Sequence, residues 1–232
     1  MSTPRLEPRS KGASIFMSVP IAFGGALLLA LLLLGINIYI GGTASGQRLQ
    51  IQLEGSCVAE ALPIIQARAT TIGLGDPVFQ EDGMSLTVEA TMPGLEDDAV
   101  AMPRILSRSA TLEILGGDAV LATHADLETS ELDLDENGMA YSGLTFTEDT
   151  TAKLRAYIQD QPQDYLVVML DGDVVARRPN TIALEEEFRV LMEAALPAER
   201  MRNAADITIL LTHGQIPCEM SVRGVSAVSE AG

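Results

Sequence analysis

The sequence predicts an α+β protein: an N-terminal transmembrane helix, then a ferredoxin-like βαββαβ layer, then a second α+β unit. Three observations predict this. From Ile15 to Ile40 no charged residue occurs. From Arg48 to Leu115 the apolar periodicity reads strand, helix, strand, strand, helix, strand, the order of a split βαβ arrangement. After Gly116-Gly117 the alternation begins again, as two hairpin patterns with a helix between them.

The stretch "IAFGGALLLALLLLGINIYI" is long enough, at about 1.5 Å per residue, to cross roughly 30 Å of hydrocarbon. Gly42-Thr43-Ala44 approximates a small-x-small cleavage site, so a cleaved signal peptide is the alternative. The length of the apolar core favours an uncleaved anchor. Arg5, Arg9 and Lys11 against Glu7 favour keeping the first fourteen residues in the cytoplasm, with the rest facing outward. That remainder is more acidic than the formal −17 of the whole chain and repels phosphate backbones and anionic lipid surfaces. Nucleic acid is therefore excluded as an expected partner.

Both cysteines, Cys57 and Cys218, fall near the two ends of the exported part, where thiols are oxidised. A disulfide joining them is the leading expectation. A zinc set with His124 and His213 is the alternative, but it lacks the closely spaced ligand pair such sites use.

"RLQIQLE" (48 to 54) alternates as a half-buried strand. "CVAEALPIIQARATTIG" has helical spacing and ends at Gly73 as a C-cap, with Pro63 about two turns in. "PVFQED" and "SLTVEATMP" are strands flanking Gly83, and "GLEDDAVAMPRILSRS" is a helix with Asp97 and Asp98 in its first turn. "ATLEIL" is expected as the strand that closes this layer. "LDLDENGMAYSGLTF" and "DYLVVMLDGDVVARRP" are expected hairpins, and "TEDTTAKLRAYIQD" a helix capped by Thr147. In the second hairpin Asp171-Gly172 suits a type I′ turn, which needs positive φ at both central residues. "IALEEEFRVLMEAAL" carries Leu184, Phe188, Leu191 and Ala195 at helical spacing and reads as a helix ended by Pro197. "ADITILLT" reads as a final strand and "VRGVSAVSEAG" as a frayed tail.

No constellation supports catalysis. "DLDENG" (133 to 138) matches the first half of a calcium loop, but position twelve is Leu144 where a bidentate carboxylate is needed. A polar hairpin tip accounts for it. Gly73-Leu74-Gly75 follows a helix, whereas a dinucleotide loop follows a strand. Glu185 to Glu187 point in different directions at the expected helix start. Two histidines support no Ser-His-Asp or Cys-His assignment, and 4% aromatic residues without Trp make no stacking platform. Neither an enzyme nor a cofactor nor a metal is expected.

The ordered motifs resemble a family. Gly73, Pro77, Met92-Pro93-Gly94 with Asp97, and Ala110-Thr111-Leu112-Glu113 are similar to the start of the first large periplasmic domain of SecD. "FTEDTTAKL", "LVVMLDGDVVARRP" and "EFRVLMEAALPAERM" resemble its head, so the resemblance covers about residues 48 to 212. It implies a base over 46–116 completed by 204–222, with a head inserted over 117–203. The expected remainder is a cytoplasmic tail over 1–14, a membrane helix over 15–41 and a flexible tail over 223–232. Return of the chain to the base would bring Cys218 beside Cys57.

The resemblance also implies a single-pass bacterial inner-membrane protein with a periplasmic ectodomain that binds polypeptide and is accessory to export. Its partners would be an exported precursor or a Sec or envelope membrane protein. The uncharged span has no acidic residue for the proton coupling of that family's membrane helices. A structural or scaffolding envelope protein is the alternative. Partner binding is expected at the head hairpin, through Val174, Arg177 and Arg178; the two arginines stand where the family often has small residues.

Overall fold

The computed structural model describes residues 47–92, 98–182, 184, 187–192 and 194–228, the side chains of 98–100 aside. The expected tail over 1–14 and membrane helix over 15–41 lie outside the described residues, among which no helix is long and apolar enough to cross a membrane. The chain divides into Met1–Thr43 and Ala44–Gly232, and the description concerns the second unit.

The first layer, the base, is a four-stranded antiparallel sheet. Strands β1 (Arg48–Gly55), β2 (Gly75–Asp82) and β3 (Ser85–Thr91) come from the N-terminal stretch, and the sheet runs β11-β1-β3-β2, with β11 at Met220–Ala227. Helix α1 (Val58–Thr71) connects β1 to β2 with β3 between them, the split βαβ arrangement. Leu49, Ile51 and Leu53 point to one face, pack against Val58, Ala61 and Ile65 of α1, and alternate with polar residues on the other. The end of α1 is a Schellman motif: Leu74 N–H donates to Ala69 C=O at 3.0 Å, Gly73 N–H to Thr70 C=O at 3.1 Å, and Gly73 has φ +76°.

The helix α2 (Asp98–Ser107) follows, but "ATLEIL" does not close the base. Its strand β4 (Leu112–Gly116) pairs with β5 (Ala119–Thr123) and with β8 (Tyr165–Leu170) in another sheet, ordered β5-β4-β8-β9, where β9 is Asp173–Pro179. Buried Ala110, at φ +64°, turns the chain out of the base. The place beside β1 goes to β11, so 223–227, expected in a flexible tail, are a base strand. Residues 229–232 lie outside the described residues.

A third sheet, β10-β7-β6, completes the head, with β6 at Leu127–Leu134 and β7 at Ala140–Phe146. A 3-10 turn at His124–Asp126 leads into β6, and helix α3 (Glu148–Asp160) starts after Thr147, whose side chain makes no capping bond.

Two elements exchange type relative to expectation. The stretch read as a helix over 182–196 contains the strand β10 (Phe188–Leu191), and the stretch read as a strand over 205–212 lies in helix α4 (Pro197–Thr212). In β10, Phe188 and Val190 face the core while Arg189 and Leu191 face out, paired to the open side of β7. An unsatisfied strand edge outweighs the helical spacing of four apolar residues. In α4, Pro197 stands at the first helical turn, a position that suits its missing N–H and fixed φ. Ala204, Ile207, Leu210 and Leu211 then form one helical face on β6 and β7. The proline taken as a stop is a start.

Candidate functional site

Two concavities bear on function. The larger, about 660 Å³, lies where base and head meet and is lined by Arg108, Ser109, Asp171, Gln215 and Cys218 among others. Several of its polar groups are committed to one another: Arg108 to Asp171 and Asp173, Ser109 to Asp171, and Gln215 to Thr111. The tip of the β8–β9 hairpin is the expected type I′ turn, with φ +55° at Asp171 and +82° at Gly172, but the Asp171 side chain does more than close it. It accepts hydrogen bonds from Ser109 Oγ at 2.5 Å, Thr111 N–H at 2.8 Å and Arg108 Nε at 2.9 Å, while Asp171 N–H donates to Thr111 C=O. Thus it pins the hairpin to the segment that leaves α2.

Burial alone would raise the Asp171 carboxyl, but the Ser109 hydroxyl, the Thr111 amide and Arg108 outweigh it and hold it below 3.8. A carboxyl lowered in the folded chain adds stability above its unfolded value, and that stability is lost as pH falls through the folded value. Asp171→Asn should cost about 2 kcal/mol at neutral pH and flatten the acid limb of stability against pH. Urea denaturation at a series of pH values checks this; coincident acid limbs for variant and parent would remove the role assigned to Asp171.

Deeper in the same joint lies a residue the sequence reading did not single out. Arg68 of α1 is fully buried. Its Nη1 donates to the carbonyls of Ile105, at 3.1 Å, and Arg108, both at the C-terminal end of α2. Its Nη2 donates to Gly214 at 2.8 Å and, more weakly, to Leu210 at 3.5 Å, at the end of α4. One guanidinium thus meets the negative ends of two helix dipoles, one from each layer. Burial lowers its pKa to about 10, against the pull of Asp171, so it remains a cation at neutral pH. Burial, and then the charge of Arg68, lower His124 and His213, and His213 Nε2 lies 2.7 Å from Thr71 Oγ1.

Cys57, at the start of α1, is bonded to Cys218, just before β11. The pairing is the expected one, and it removes both thiolates from the zinc alternative. Asp135 accepts the amides of Asn137 and Met139 at 2.9 and 2.8 Å, so that carboxylate of the partial calcium pattern serves its own hairpin tip. Glu187 precedes a strand, not a helix; Glu185 and Glu186 lie outside the described residues.

The smaller concavity, about 180 Å³, lies between the hairpin strand β9 and the strand β10. Each is the last strand of its sheet. Ala176, Arg177, Arg178 and Pro179 line one side, Glu187, Arg189 and Leu191 the other, and Ile182 the rim. Of the three hairpin residues expected to bind a partner, Arg177 is exposed and lines this groove. Arg178 is only 8% exposed, its guanidinium 5.4 Å from the Phe188 ring centroid, so it forms the floor instead of a projecting contact. Val174 is exposed near the hairpin tip, outside the groove. Ile182 and Leu191, half exposed, supply apolar contacts the sequence reading did not assign. The groove's volume has room for one or two side chains beside the two strands.

No family model matches the chain. It is 26% identical over 175 residues to the protein translocase subunit SecD of Acidaminococcus fermentans, a match covering 74% of this chain and 40% of that protein. A crystal structure of SecDF in a super-membrane-facing form superposes with a TM-score of 0.61 at 18% identity, covering 86% of this chain and 35% of that one. A structure of SecDF, described as a membrane component that enhances protein export, gives a TM-score of 0.56 at 19% identity, over 77% of this chain and 100% of that one. The chain therefore carries a SecD-like domain, similar in sequence to SecD and built on the fold found in SecDF.

Proposed function

We propose that this protein is an accessory of protein export whose head binds extended polypeptide in the groove between β9 and β10. One observation carries the reading: an apolar-rimmed groove, with Ile182 and Leu191 half exposed, runs between the end strands of two sheets. Such edges offer main-chain hydrogen bonds to an incoming strand while the groove takes its side chains. The similarity to a translocase subunit and to SecDF supports the export setting. In this reading the residues over 15–41 anchor the chain in a bacterial inner membrane, the N-terminus is cytoplasmic, and the base and head are periplasmic.

Photo-crosslinking side chains placed at Leu191 and Ile182 of the membrane-embedded full chain should capture a translocating precursor while export is under way. Val78, exposed on the base, is the control. Equal labelling at Val78 would sink the proposal. A fixed partner captured whether or not a precursor is in transit would favour the scaffolding alternative.

A further inference from the structure

We propose that the Cys57–Cys218 bridge is a thiol-exchange site opened from one side: an external thiolate attacks Sγ of Cys218 through the larger cleft, and Cys57 leaves. The inference does not depend on the β9/β10 groove. Three observations of the bridge carry it. Cys57 is buried in the core of the base, whereas Cys218 is half-buried at its margin. Among the described residues the cleft of about 660 Å³ is lined by Cys218 and not by Cys57, so an incoming sulfur reaches one end of the bond. Cys57 is also the N-cap of α1, a helix of 14 residues, and its side chain makes no capping bond.

Exchange needs an approach for the attacker and a stable leaving thiolate. The first N–H groups of a helix have no intrahelical acceptors and carry the positive end of its dipole, which favours a thiolate at that place. Ala61 N–H already donates to the Cys57 carbonyl at 2.9 Å, so the turn that receives the thiolate is formed. Exposed carboxylates lie close in sequence to both cysteines, Glu60 in that turn and Glu219 beside Cys218, and neither sulfur gains from them. Access and leaving group therefore select the same direction. A new S–S bond forms between the incoming sulfur and Cys218, and the electron pair of the old bond departs on Cys57 Sγ. With a dithiol as reductant, its second thiolate attacks its own sulfur in the mixed disulfide and releases Cys218. Two electrons and the two protons of the dithiol pass to the cysteines, and the dithiol ends as a disulfide. Strand β11 is then held by its ladder to β1.

The test adds reduced glutathione to the folded full chain in detergent for a short time, quenches with acid and alkylates free thiols with a maleimide at mildly acid pH. Mass spectrometry of tryptic peptides locates both groups, since Arg68 and Arg202 lie between the two cysteines. Glutathione on Cys218 with the maleimide on Cys57 should exceed the reverse by at least about tenfold. In urea, where helix and cleft are lost, the two cysteines should be labelled alike. Equal labelling in the folded chain or an excess of glutathione on Cys57 would overturn the proposal. So would a preference that survives in urea, or a bridge that glutathione opens only there.

Discussion

Replacing Arg68 with methionine should destabilise the folded chain by at least about 3 kcal/mol. Methionine fills much of the same volume, so the loss is of hydrogen bonds and not of packing. Often a buried ion pair can be exchanged for apolar side chains without penalty, because both charges leave together. Here the partners are backbone carbonyls of Ile105, Arg108, Leu210 and Gly214, which stay behind without their donors in a buried joint. Two helix ends, one in the base and one in the head, lose their cap at once. Arg68→Lys should recover only part of the loss, since a compact ammonium cannot span two helix ends as a planar fork does. Urea midpoints of the three proteins decide it; a methionine variant as stable as the parent would show the carbonyls satisfied by other means.

Removing the Cys57–Cys218 bridge should have an effect of similar size, with a different distribution. The bridge closes a loop across a sequence separation of 161, for which the chain-entropy account gives about 5 kcal/mol. Strand β11 is attached to the base mainly by its ladder to β1, because Met220 alone of its eight residues is buried. The two layers have separate cores, so reduction should loosen β11 and β1 first while β7 and β8 of the head keep their protection. Hydrogen exchange with and without reductant, repeated on a double Cys→Ser variant, checks both claims. Unchanged exchange in β11 after reduction would mean that the ladder holds the strand unaided.

The comparison of sequence with structure divides by the range of the interaction. The hairpins were legible because turn chemistry is local: Gly83 and Asp171-Gly172 take the positive φ their identity suggests. The Schellman end of α1 was legible at Gly73 for the same reason. Residues 188–191 and 197–212 were misread because short apolar runs fit either period, and the choice lay with the open edge of β7 and the faces of β6 and β7 that needed cover. Arg68 left a trace that was open to reading: it follows Ala61 and Ile65 at positions i, i+4 and i+7 of one helical face, where a charge is out of place unless it has partners. Those partners lie 37 to 146 residues away, and no local pattern names them.

The sequence by itself determined the local vocabulary of this protein: the order of most strands and helices from Arg48 to Pro179, the tight turns, the pairing of its two cysteines and a resemblance to SecD. Tertiary structure alone decided which strands share a sheet. It sent β4 into the head, returned β11 to the base, put Arg68 at the joint and set Arg177 beside Leu191 across a groove. The physical reason is that turn and cap preferences act within a few residues, whereas strand edges, helix ends and buried charges are satisfied by whatever part of the chain reaches them.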